Sequence, residues 1–238
     1  MDKISQTEKV TSPYFSDGTV TLAGSNTVSS SQTGQATNET YFFGIAHSST
    51  PTVQEFNVAF GDTEGHGSLI EPNTKSETEA IYKQYASILL APTEVTGGFV
   101  ISSPASDSAI TSGKDNEIFV LSARRSNMKD RINKGTWTIA LSGSTAAGTA
   151  GTLLELTDDS VNNSPTATPV GDRYNIVSGA AGTVVSESTA RNFGFFYPDM
   201  GILVLSQQEL SASIPGKSDG NNTAVTFDST DHQGFHTS

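Results

Sequence analysis

The chain has 238 residues, no cysteine, 16% charged residues and a formal net charge of −12. Without cysteine there are no disulfides and no thiolate metal sites, so stability must come from packing or from neighbours. The acid excess argues against a dedicated nucleic-acid binder, which needs clustered Lys and Arg on a broadly basic face.

Ser and Thr make up roughly a quarter of the chain. Thr suits half-buried strands, while Ser, Gly and Asn favour turns over helix interiors. The predicted class is therefore β-dominated, all-β or α+β. It would have an antiparallel or mixed sheet, one packed amphipathic helix and long polar arms. Residues 1–40 carry only scattered apolar positions and read as an extended N-terminal arm. The segments 41–47 and 53–60 are the first strand candidates. In the second, Phe56, Val58 and Phe60 alternate with Asn57 and Ala59, the period of a half-buried strand.

The sequence predicts a helix over 76–90. Ser76 and Glu79 have capping-box spacing, and Ala91-Pro92 closes the segment. Ile81, Tyr85, Ile88 and Leu89 share one face and are expected to meet the sheet. A short strand is expected at 98–102. Residues 118–123 are apolar on both faces, which marks a central strand. Over 136–142, Trp137, Ile139 and Leu141 point one way and Thr136, Thr138 and Ala140 the other. Further strands are expected at 153–156, 174–177 and 193–205, the last broken into a hairpin or a bulged strand by Pro198-Asp199-Met200-Gly201. One β-rich domain over 41–210 and a polar tail over 211–238 complete the expected organisation.

No catalytic motif emerges. Asp62-x-Glu64-x-His66 with Glu71 beyond could offer oxygen and imidazole ligands, but the spacing matches no defined metal loop and reads as an exposed connection. Asp158-Asp159, followed by Ser160 and two asparagines, reads as turn chemistry. His47, His232 and His236 lack partners at recognisable spacing. Gly179-Ala180-Ala181-Gly182 lacks the lysine and following helix that phosphate binding would use. The expectation is no enzyme, no cofactor and no metal. MDKISQTEKV lacks a signal-peptide core and no stretch approaches a membrane span, so no membrane partner is expected.

The feature that stands out is a basic connector between two strand-like runs. Arg124, Arg125, Lys129, Arg131 and Lys134 supply five of the thirteen basic residues within eleven positions. With Asp130 subtracted the segment carries +4, so the rest of the chain sums to −16. Such a concentration suggests a partner interface for an acidic surface, including that of another copy of this chain; a solvated turn is the alternative.

The same region carries a resemblance. DNEIFVLSARRSNMKDRINKGTWTIALSG, then LTDDS, DRYNIVSG and FFYPDMGILVLSQQEL, resembles a family of virion structural proteins from contractile-tailed phages of marine cyanobacteria. The resemblance spans 41–210 and rests on short motifs in a fixed order. Family members continue into a second apolar region, whereas here the residues after Pro215 are polar. The resemblance implies a structural subunit of a virion tail or baseplate, assembled in the host cytoplasm. Its partners would be other virion proteins and copies of itself in a large symmetric assembly. A host-recognition fibre or spike module binding surface carbohydrate, or a capsid decoration protein, are the competing expectations.

Overall fold

The computed structural model describes residues 29–31, 42–46, 54–65, 77–94, 98–101, 114–128, 130–145, 149–185, 192–207 and 209–210. Among the described residues the chain is β-dominated, with one α-helix and a curled antiparallel sheet. Its strands are β1 (Ser29–Ser31), β2 (Phe42–Ala46), β3 (Gln54–Asp62), β4 (Glu117–Ala123), β5 (Ile139–Thr145) and β6 (Thr149–Asp158). They continue with β7 (Thr166–Thr168), β8 (Gly171–Ala180), β9 (Thr183–Val184), β10 (Gly194–Tyr197) and β11 (Ile202–Ser206). The spatial order is β1-β2-β3-β4-β11-β10-β8-β6-β5, with β7 and β9 attached to β8.

Alternation along the strands divides the core in two. One side chain set, Val58, Phe60, Phe119, Leu203, Leu205, Phe196, Tyr174, Ile176 and Leu156, forms a single cluster reaching from β3 to β6. Ile139 and Leu141 of β5 join it at the rim, as does Trp137, whose ring meets that of Phe196 edge-on at 5.2 Å. We call this the inner face. The opposite set, Ile118, Val120, Phe195, Tyr197, Ile202 and Val204, packs under the helix. The central position of 118–123 expected from its two-sided apolarity holds: β4 lies between β3 and β11, and Ile118, Phe119 and Val120 are all buried.

The helix, α1 (Glu77–Leu89), buries only part of the face expected of it: Leu89 is buried and Tyr85 packs at the edge of the core, but the face is rotated towards Tyr82. Its buried residues are Thr78, Tyr82, Ala86 and Leu89, whereas Ile88 is 39% exposed and Ile81 and Tyr85 are half-buried. Tyr82 explains the rotation. Its hydroxyl donates to the Asp115 carbonyl at 2.7 Å and accepts from Phe99 N–H at 3.1 Å. An aromatic ring that also satisfies two buried backbone groups outweighs an isoleucine that satisfies none. Ser76 of the expected capping box lies outside the described residues.

Of the segment expected as a strand at 98–102, the described residues 98–101 join no ladder. Phe99 N–H goes to the Tyr82 hydroxyl and Ile101 N–H to the Asp115 carboxylate at 2.7 Å. Side-chain acceptors thus replace a neighbouring strand. Ser29–Ser31, inside the stretch read as a polar arm, adds to the chain's own sheet through Ser29↔Ala46, Ser30↔Ile45 and Ser31↔Gly44. Of the two forms expected at Pro198-Asp199-Met200-Gly201, the structure shows the hairpin, with β10 and β11 antiparallel. Gly201 sits at φ +67, where a side chain is rarely accommodated, and a Cβ there would collide with the Met128 sulfur.

Candidate interaction surface

The connector from β4 to β5 has to travel from the middle of the sheet to its far edge, because those strands are not neighbours. It does so across the inner face. Arg124 ends the strand, and Arg125–Asn127 makes one turn of 3-10 helix. Met128 and Ile132 then drop into the inner core, at 1% and 7% exposure. Ile132 N–H donates to the Pro198 carbonyl at 3.1 Å, docking the connector on the β10–β11 turn.

The far end is held by the pair read from sequence as turn chemistry. Both carboxylates are buried, and they bridge elements that are far apart in sequence. Asp158 accepts Gly135 N–H at 2.8 and 3.0 Å, one contact to each oxygen, and Ser160 N–H at 3.2 Å. Asp159 accepts Asn175 N–H at 3.0 Å, Asn175 Nδ2 at 2.9 Å and Asn163 Nδ2 at 3.0 Å. Thr157 Oγ1 donates to the Trp137 carbonyl at 2.8 Å and accepts Gly182 N–H at 2.9 Å. The turn chemistry is present, but these groups also clamp the connector to β6 and β8.

The connector's cations lie on top of this clamped backbone, and all four described ones are exposed. Arg125 donates to the carbonyls of Asp130 and Asp199, at 3.2 and 3.4 Å. Arg131 stands 4.0 Å from the Asp199 carboxylate, with both side chains about half exposed. Such a pair contributes little in water, typically under about 1 kcal/mol. Lys134 donates to the Tyr174 hydroxyl at 2.6 Å and lies 4.9 Å from the centre of that ring. Lys129 lies outside the described residues. Carbonyl and hydroxyl partners orient a cation without neutralising it. Four cations against Asp130 and Asp199 therefore leave the described part of the patch positive, beside the 39%-exposed Met200.

A second polar group lies on the helix face. Arg173 stacks over Phe195 at 4.2 Å and pairs with Glu94 at 3.3 Å, its own side chain only 12% exposed. Glu94 is positioned in turn by Ala91 N–H at 3.1 Å. The neighbouring Tyr197 hydroxyl is buried with no hydrogen-bond partner. Burial pushes this phenol up to about 12, against a smaller opposing pull from Arg173.

The other sequence candidates do not assemble into a site. Asp62, read as part of an exposed connection, is 1% exposed and accepts Glu64 N–H at 2.8 Å, closing the end of β3. His66, Glu71, His47, His232 and His236 lie outside the described residues. Gly179-Ala180-Ala181-Gly182 forms the β8–β9 hairpin, where a Cβ on Gly179 would run into the Thr183 carbonyl. Among the described residues no three His, Asp or Glu side chains gather as metal ligands, and no helix is long and apolar enough to cross a membrane. No family model, curated protein or solved structure matches the chain.

Proposed function

We propose that the chain is a structural subunit of a tailed-phage virion, in the tail or baseplate, and acts through protein–protein assembly. The supporting observation is the connector: a positive patch in a chain of net charge −12, with its side chains oriented in advance by the fold. Orientation before binding lowers the entropy lost when a partner's carboxylates arrive. The resemblance of its motif order to that of virion structural proteins is what suggests the kind of assembly. Arg124 and Arg125 present planar forks suited to carboxylates, and Met200 offers an apolar contact beside them.

An exposed pair contributes at most about 1 kcal/mol, and a partly desolvated arginine about 2 to 3 kcal/mol. The test is incorporation into particles during infection, measured by quantitative mass spectrometry of purified virions. Arg124→Glu is the cleaner variant, since Arg125 also holds the Asp130 and Asp199 carbonyls. Reduced incorporation of a normally folded Arg124→Glu or Arg124→Glu/Arg125→Glu protein, worse at low salt, is expected. Equal incorporation would reduce the patch to a solvated turn. Absence of the unaltered protein from particles would end the virion reading.

A further inference from the structure

The two ends of the sheet differ. At one end the sheet finishes in β1, an edge strand of only three residues paired to β2. At the other, β5 pairs with β6 and with no other strand among the described residues. The β5–β6 pair also outruns the sheet. Of the ten residues in β6, only Leu156, Thr157 and Asp158 pair with β8, while β5 follows β6 from Ile139↔Leu156 to Thr145↔Thr149. Residues 140–145 and 149–155 therefore form a two-stranded ribbon extending roughly 20 Å beyond the part of β6 paired with β8, at about 3.3 Å per residue.

A two-stranded ribbon is marginal in water without a third strand, and an open edge offers a row of unpaired N–H and C=O groups. Edges left in solvent are usually blunted by charge or proline. From Ile139 to Leu154 this segment contains neither, and the one irregularity is a bulge between Ser142 and Ser144. Ile139 and Leu141 of β5 and Leu154 of β6 remain only partly buried.

We infer that β5 is a self-association edge, pairing antiparallel with β5 of a second copy across a twofold axis. Electrostatics favours another copy at this place in particular. Two chains of charge −12 repel over most of their surfaces, but an uncharged edge lets them meet without opposed carboxylates. Symmetry supplies the second reason: an antiparallel β5–β5 contact uses the same edge of both copies, so it closes on itself as a pair. The inference does not depend on a place in a virion.

The absence of cysteine makes the test direct, because single reporters can be introduced into the full chain without background. Sedimentation velocity should show a concentration-dependent dimer. Cysteines placed singly at positions 139 to 145 should cross-link efficiently at one position near the axis and fall off on either side. Ala140→Lys, at an exposed position, sets two like charges near each other across the axis and should weaken the dimer roughly tenfold or more. Its thermal unfolding should match that of the parent at equal monomer content. A monomer at every concentration would overturn the inference. So would a dimer indifferent to Ala140→Lys and lacking cross-links in this strand. Particle incorporation is a separate measurement, so either idea can fail alone.

Discussion

Asp158→Ala tests whether the connector is clamped or merely adjacent. The carboxylate is fully buried and accepts Gly135 N–H on both oxygens and Ser160 N–H on one. A hydrogen bond to a charged acceptor contributes about 1.5 to 3 kcal/mol, and losing the acceptor leaves the donor unsatisfied. The Gly135 contact falls at the upper part of that range, since its 2.8 Å arm is short. The 3.2 Å contact to Ser160, a local turn, contributes about 1 kcal/mol or less. The expected loss is therefore about 2 to 4 kcal/mol, or roughly 5 to 15 °C in Tm for a chain of this size. Asp158→Asn keeps one acceptor oxygen and should lose about half as much. Urea unfolding measures the total, and hydrogen exchange at the Gly135 amide measures the local effect. A loss under about 0.5 kcal/mol in Asp158→Ala, with the Gly135 amide still protected, would refute the clamp.

Two further outcomes follow from the helix face. Tyr82→Phe removes both hydrogen bonds of the buried hydroxyl and should destabilise by about 1 to 3 kcal/mol in urea unfolding, whereas Ile88→Ala should change stability by about 0.5 kcal/mol or less. The reverse ranking would restore the face expected from the sequence. Tyr197 ionises only near pH 12 in the folded chain, against 10.0 for a free phenol. Its neutral form is the one the fold favours, so this contribution is fully present below pH 10 and is lost as pH rises through 12. Two units correspond to about 2 to 3 kcal/mol. Alkaline unfolding followed by circular dichroism should therefore shift to higher pH in Tyr197→Phe; an unchanged midpoint would mean the phenol does not limit alkaline stability.

Local regularities were legible in the sequence wherever packing agreed with them. The alternation of Trp137, Ile139 and Leu141, the two-sided apolarity of 118–123 and the Pro198–Gly201 turn all correspond to observed features. The face of α1 was legible only in part: Leu89 is buried as expected, but the rotation turns on Tyr82 reaching Phe99 and Asp115, contacts that hydrophobic periodicity does not encode. Likewise Asp158 and Asp159 do look like turn residues. Their reach to Gly135 and Asn175 depends on β6 and the connector lying side by side, which only the tertiary structure supplies. The charge concentration at 124–134 was readable as such. What it lacked was its support, since the carbonyl of Asp199 and the ring of Tyr174 lie far along the chain.

The position of β11 has a consequence for how the chain acquires its shape. Among the described residues Ile202–Ser206 is the last strand to be synthesised, yet it sits between β4 and β10. Its pairing Leu203↔Leu121 joins residues about eighty positions apart, a long loop to close before the contact is rewarded. Until that strand is available, β1–β4 and the β10-β8-β6-β5 group are two separate sheets, each with an open apolar flank along β4 or β10. The nascent chain therefore stays adhesive until its final fifth emerges, and insertion of one strand converts two sticky halves into a single continuous surface.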